Sequence, residues 1–266
     1  MARVVLVALV ALAGVAGAQP HAPTARMVAF NGKDLSGFTT WLKDTKAADP
    51  RRVFRVTDGL LHVTGDGFGY LATDKPVRDY RVRLDYKWGT RTDGGKYVRN
   101  SGLLLHATGP DGGAGGTWMA SVEVQLAQGC AGDLIPIRTK DVPVAFASDV
   151  KLGPDKRPRW SPGGTKTVFT GRQLWWNDHD PDFKELLDTR GRRDRESPRD
   201  GWTTVECVCD RDTITVSING TVVNRAYDVT PAGGKILLQC EGFELFVRNF
   251  ELLPLVKSPS TPASPP

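Results

Sequence analysis

Between residue 19 and the proline-rich C-terminal end, no stretch of this chain keeps a helical repeat of apolar residues beyond two turns. It keeps a period of two instead. Ser121-Val122-Glu123-Val124-Gln125-Leu126 alternates polar and apolar without a break, and so does most of Tyr80 to Trp88. Such alternation makes a half-buried strand, with one face in a core and one outside. Further strands are expected at Gly69–Thr73, Gly102–Ala107, Ala120–Ala127, Trp202–Cys209, Thr213–Ile218, Thr221–Asn224, Lys235–Cys240 and Glu244–Leu253. Asp58-Gly59, inside Val53 to Val63, and Asn219-Gly220 are hairpin turns, because both residues of each pair tolerate positive φ. Short strands with turn residues between them imply an all-β fold of two packed antiparallel sheets. Asp141 to Gly171, rich in Pro, Gly and Lys, reads as surface loops, and Phe183 to Leu187 as a short helix.

The two ends stand apart from this pattern. Residues 1–18 carry a positive start, an apolar run from Val4 to Ala13 and the small residues Ala16-Gly17-Ala18. That is the layout of a secretory signal peptide, and it is too short to span a bilayer. The chain is therefore expected to be secreted or periplasmic, with no membrane span. Residues 257–266 are rich in Pro and Ser and are expected to form a disordered tail. One β-sandwich domain, residues 27–256, fills the interval.

The formal charge is +5, but basic and acidic residues are interleaved, as in Arg190 to Glu196. A nucleic-acid binder would concentrate its cations in one stripe, so no nucleic-acid partner is expected. The four cysteines are Cys130, Cys207, Cys209 and Cys240. Cys207 and Cys209 point the same way along a strand and cannot bridge each other. Pairing with Cys130 or Cys240, or burial as free thiols, both fit.

Strand parity groups a set of polar side chains. Asp85 shares a face with Lys87, Glu123 with Gln125, and Gln239 with Glu241, while His106 ends the run Leu103-Leu104-Leu105. If these strands are neighbours in one sheet, its outer face presents carboxylates, amides, a lysine and an imidazole together. Trp175 and Trp176 are candidates either for stacking on a sugar ring or for the core. No phosphate-binding loop, nucleophile elbow or His-Glu-x-x-His metal motif is present. An oxygen-rich Ca2+ site is compatible with Asp133, Asp178 or Asp180, although the sequence specifies no cofactor.

In order along the chain, several short motifs resemble those of the 3-keto-disaccharide hydrolase domain, a former domain of unknown function. They are Phe30-Asn31-Gly32-Lys33-Asp34-Leu35-Ser36-Gly37, Asn100-Ser101-Gly102, Glu123-Val124-Gln125, and Gly129 through Gly132-Asp133. Glu196-Ser197-Pro198 with Gly201-Trp202, Asn219-Gly220, Leu238-Gln239 with Gly242, and Phe246-Val247-Arg248-Asn249-Phe250 complete the series. The resemblance implies a concanavalin A-like jelly roll of the lectin and glucanase type. It also implies action on oligosaccharides or glycosides whose C3 hydroxyl has become a ketone.

A C3 ketone acidifies the C2 proton, so a base can take it, the C1 substituent can leave, and water can add back. Such a site needs a base, an acid for the leaving oxygen and a stabiliser for the enolate. Glu123 and His106 are the candidates for base and acid, with Lys87 or a bound divalent cation as stabiliser. Asn100, Gln125, Asp133, Gln239 and Glu241 would hold the substrate, with Trp176 and Glu196 reaching over the rim. An ordinary glucanase of this architecture needs two acids on one strand. Here Glu123-Val124-Gln125-Leu126-Ala127-Gln128 lacks the second. A non-catalytic carbohydrate-binding module is the competing reading, because this fold serves either purpose.

Overall fold

The computed structural model describes residues 18–255; all but the last residue of the signal-like start (1–18) and the whole tail (257–266) lie outside them. Within them, the structured elements are strands, and all the strand pairings are antiparallel. A six-stranded sheet runs in the spatial order Phe38–Leu42, Phe68–Thr73, Lys235–Glu241, Gly102–Thr108, Ala120–Gln125, Leu134–Ile137. The larger, eleven-stranded sheet runs Pro158–Trp160, Ala145–Leu152, Thr221–Thr230, Thr213–Ile218, Thr203–Asp210, Tyr80–Trp88, Leu245–Pro254, Leu60–Val63, Phe54–Thr57. Met27–Val28 pairs beside Leu245–Pro254, and Thr165–Phe169 beside Ala145–Leu152. This is a two-sheet jelly-roll sandwich.

The alternation places the core. Val122, Val124, Leu103, Leu105, Leu71 and Leu238 from the smaller sheet meet Val82, Leu84, Tyr86, Val205, Val216 and Val247 from the larger, all buried in one cluster. Burial of that apolar area is the main force holding the sheets together. Because side chains alternate, it also forces Ser121, Glu123, Gln125 and Gln239 onto the opposite, outer face of the smaller sheet. Both expected hairpin turns form, with positive φ at Asp58, Gly59, Asn219 and Gly220.

Two local expectations are corrected. Asp141–Gly171 is not all loop: it supplies the strands Ala145–Leu152, Pro158–Trp160 and Thr165–Phe169 at one end of the larger sheet. Edge strands tolerate Lys and a leading Pro, because one side of the backbone needs no partner, and that composition hid them. Phe183–Leu187 forms no helix; the inward side chains of residues 181–190 alternate as in an extended strap. Phe183 packs over Gly129, where a Cβ would overlap its ring, and Leu187 lies beside Gly95.

The turn at Asn219 also fastens a loop. Its amide donates to the carbonyl of Arg195 at 2.7 Å and to Ser197 Oγ at 3.1 Å, and its carbonyl accepts from Thr204 N at 2.8 Å. Ser197 Oγ in turn donates to the carbonyl of Trp202 at 2.8 Å. Replacing Asn219 with Ala should therefore lose these bonds and strain a left-handed position, costing about 1–3 kcal/mol. Asn219→Gly, which relieves the backbone, should cost less. Urea unfolding of the two variants measures the difference, and equal midpoints would contradict the assignment.

Candidate functional site

Register places a row of side chains across the outer face of the smaller sheet. Trp41 pairs with Tyr70, Tyr70 with Gln239, and Gly102 with Gln125. The pairing of Leu238 with Leu103 sets Gln239 beside Gly102. Glu123 stands one step along, opposite Leu104, and Glu241 one step the other way, beyond Gln239.

Gly102 is the centre of this group. A Cβ there would overlap both Gln239 Oε1 and Glu123 Oε1. The bare backbone is what lets the two side chains converge. Gln125, with its amide nitrogen turned inward, donates to Glu123 Oε1 at 2.9 Å and to the carbonyl of Ser101 at 3.2 Å. Asn100 Nδ2 donates to Glu241 Oε2. Glu123 and Gln239 are almost fully buried, whereas Glu241 and Asn100 are half-buried at the rim.

Burial is the dominant influence on both acids. It lifts Glu123 well above the usual carboxylate range, and the neighbouring charge of Glu241 lifts it further. Glu241 is raised to about 7 by burial, opposed by its bond from Asn100. The deeper acid, Glu123, is thus pushed toward its protonated form, and the shallower one, near 7, is poised to gain or lose a proton. Two acceptors beside them, Gln239 Oε1 and Asn100 Oδ1, are buried without a hydrogen-bond partner. Buried polar atoms are rarely left so. A protonated carboxyl or a sugar hydroxyl would satisfy them.

An aromatic patch adjoins the acids. Tyr70 and Trp118 lie 6.5 Å apart between ring centroids, and Trp41 packs in the same cluster. Tyr70 Oη donates to Asp111 Oδ1 at 2.6 Å, and Trp41 Nε1 reaches the carbonyl of Gly116 at 3.5 Å. The glycine-rich loop, residues 111–116, is thus anchored on this face. At Gly112, which has a φ of +69, a side chain would strike the Trp41 ring and the carbonyl of Gly116. None of these aromatics was picked from sequence, although the parity of Trp41 against Leu42 and of Tyr70 against Leu71 carries the signal.

The remaining sequence candidates lie elsewhere. Lys87, with Asp85, is on the outer face of the larger sheet, because Tyr80–Trp88 pairs with Leu245–Pro254 and Thr203–Asp210. His106 sits at an irregularity in its strand with φ of 57 and turns inward, edge-on to Tyr80 at 5.8 Å. It is fully buried, its Nδ1 is 2.9 Å from the carbonyl of Pro231, and burial lowers its pKa to about 4. A neutral imidazole sealed in the core cannot reach a sugar held beside Glu123. Asp133 is also fully buried, accepting from Trp176 N at 2.6 Å and Gln173 Nε2 at 2.5 Å. Trp176 is buried with its indole N–H on the carbonyl of Gly129 at 3.0 Å, and Trp175 packs in a satellite cluster. Neither is a stacking platform.

Glu196 is buried as well, accepting from Tyr86 Oη at 2.9 Å and Trp88 Nε1 at 2.6 Å. Asp178 is engaged by Arg193 and Arg195, and Asp180 by Arg192, so with Asp133 they do not form a Ca2+ cage. Among the described residues no three His, Cys, Asp or Glu side chains converge to hold a metal. A cavity of about 450 Å³ is bordered by Arg159, His179, Asp180 and Arg192, none of which belongs to the acid and amide group.

The profile of the 3-keto-alpha-glucoside-1,2-lyase-like domain matches residues 26–253. The chain belongs to this family. Among solved structures, a protein assigned as a glycosyl hydrolase from Parabacteroides distasonis ATCC 8503 is 16% identical, with a TM-score of 0.50 over 87% of this chain and 94% of that one. A second such protein from the same organism is 16% identical, with a TM-score of 0.48 over 86% and 99%. The carbohydrate binding module CBM66 from Bacillus subtilis is 11% identical, with a TM-score of 0.42 over 81% and 94%. No curated protein matches. Family membership makes this a carbohydrate-related protein of lyase-like type, and the first structural likeness bears on the fold.

Glu196 provides a test of the division between site and scaffold. Burial raises its carboxyl from 4.5 to about 7. A pKa raised on folding means stability is fully present below about 4.5 and is lost as pH rises through about 7. The loss amounts to roughly 3 kcal/mol. Glu196→Gln should remove that loss, so its urea midpoint should gain on the parent between pH 5 and pH 8. A gap that does not change with pH would mean that Glu196 is solvated.

Proposed function

We propose that this protein is an exported carbohydrate-active enzyme that cleaves 3-keto-glycosides by elimination, with Glu241 as base and Glu123 as acid. The observation that carries the reading is the pair of carboxyls with raised pKa values, set among amides on the outer face of the smaller sheet. Family membership supports the substrate class. The signal-like first 18 residues support export.

In this reading the oxidised sugar lies over Gly102. Glu241, ionised above about pH 7, takes the C2 proton, and the C2–H electron pair forms an enolate with the C3 carbonyl. As the ketone re-forms, C1=C2 closes and the C1–O bond breaks. Glu123 gives its proton to the departing oxygen. Proton transfer of this kind is worth 10²–10⁴-fold when the group's pKa suits the pH. Gln125, Gln239 and Asn100 hold hydroxyls, and the unpartnered oxygens of the latter two accept from them. Water adding across C1=C2 would make the end point hydrolysis. Without it the product is the unsaturated ketone.

The cluster of Trp41, Tyr70 and Trp118 favours a second reading, a carbohydrate-binding module that stacks sugars on its aromatics. Glu123→Gln separates the two. Retained binding of a 3-keto-glucoside with product release cut by about 10²-fold or more supports the enzyme. Parent protein that binds the sugar but releases nothing, with or without added divalent cation, supports the module.

The pH profile has a defined shape. The rate should rise with pH through about 7 as Glu241 loses its proton, and fall again at higher pH as Glu123 loses its own. In Glu241→Asp the acidic limb should move, and a limb that stays in place would remove Glu241 from the role of base. Gly102→Ala should abolish binding of the keto-sugar by driving Glu123 and Gln239 apart. Unchanged affinity there would place the sugar elsewhere.

A further inference from the structure

The outer face of the larger sheet carries an arrangement that elimination at Glu123 and Glu241 does not use. Register sets Arg55 opposite His62, His62 opposite Phe246, and Phe246 opposite Lys87. Thr203 pairs with Tyr86, which puts Trp202 beside Lys87. The result is a transverse row of alternating cationic and aromatic groups. His62 stacks on Phe246 with ring centroids 4.4 Å apart, and Arg55 Nε donates to His62 Nδ1 at 3.2 Å. Lys87 Nζ lies 5.2 Å from the Trp202 ring, and the Arg248 guanidinium 4.1 Å from it. Arg55, Phe246, Lys87, Trp202 and Arg248 are all partly open to solvent.

The charges on this face are unevenly committed. Asp85 accepts from Thr204, Arg248 and Asn249. Glu244 is held by His62 and by the backbone N–H groups of Thr90 and Arg91. Glu206 faces Arg81, and Glu251 is bonded by Arg26. Among the described residues, Arg55 and Lys87 have no ion-pair partner. Only the Nε of Arg248 is turned to Asp85, so its terminal N–H groups remain for another acceptor.

Arg55 and Lys87 are three strand spacings apart, about 14 Å. Positive groups at that interval, with rings between them, suit an extended ligand with carboxylates along it and apolar sugar faces between. Arginine takes a carboxylate in two parallel bonds, and a ring takes a pyranose face. A flat sheet with a few separated cations does not follow a duplex phosphate backbone, where binding depends on many phosphate contacts. We infer that this face is a second carbohydrate surface, one that holds an acidic polysaccharide through Arg55, Lys87 and Arg248 with Phe246 and Trp202 between them.

The probe is polygalacturonate, titrated by calorimetry into the purified chain at low salt beside dextran and duplex DNA. Polygalacturonate should bind, dextran should not, and raising the salt should weaken the binding. Arg55→Ala with Lys87→Ala should weaken it about tenfold or more, without altering turnover of a 3-keto-glucoside on the opposite sheet. Lys87→Gln keeps a side-chain stem beside Trp202 and removes only the charge, so a smaller loss there guards against a folding defect in the double variant. The inference fails if polygalacturonate does not bind, if dextran or DNA binds as tightly, or if these substitutions leave the affinity unchanged. Loss of turnover in Glu123→Gln with polygalacturonate binding intact would show that the two faces act separately.

Discussion

The structure depends on the sealing of two sheets against each other. Once Val122, Val124, Leu103 and Leu238 face Val82, Leu84, Val205 and Val247, every neighbouring residue in those strands is committed to an outer face. Most outer faces meet that demand with solvated charge. On the smaller sheet the loop around Asp111 and the aromatics Trp41, Tyr70 and Trp118 close over part of the surface. Glu123 and Gln239 are therefore polar by parity and dry by packing. A dry carboxyl either finds a countercharge or keeps its proton, and here the nearest charge is another carboxylate. The chemistry proposed for the site follows from that conflict.

Parity was legible in the sequence; sheet membership was not. The pairing of Glu123 with Gln125 and of Gln239 with Glu241 came from alternation alone, and both pairs lie on the shared outer face. Asp85 and Lys87 obey the same alternation, but their strand joins the other sheet, because pairing is decided by long-range contacts that no local window contains. His106 was misplaced for a different reason. Its strand carries an extra residue, and an irregularity of one position turns every later side chain to the opposite face. Asp133, Trp176 and Glu196 share a third cause. Loop polarity suggests exposure, whereas these loops fold back and bury their polar groups in hydrogen bonds.

The second carboxyl of the site, placed by the sequence among groups that hold substrate, comes from a different strand. A search along Ala120–Gln125 meets a single acid, as the sequence shows, yet Glu241 arrives from a strand more than a hundred residues later. The family motifs look different in this light. Asn100-Ser101-Gly102, Glu123-Val124-Gln125 and Leu238-Gln239 converge on one patch, while Glu196-Ser197 and Asn219-Gly220 form a separate clasp. One set is placed to meet a ligand and the other holds the loop through Ser197 in place.

All four cysteines are free and buried. Burial raises every one of their thiols: Cys209 to about 12, Cys240 to about 11, and Cys130 and Cys207 in the same direction. Since the thiolate is the reactive form, alkylating reagents have almost nothing to attack while the sandwich stays closed. Cys207 and Cys209 belong to the larger sheet, Cys240 to the smaller, and Cys130 to the loop beside Trp175. The native chain therefore carries its own set of silent labels, and the order in which they become reactive would chart how the protein opens.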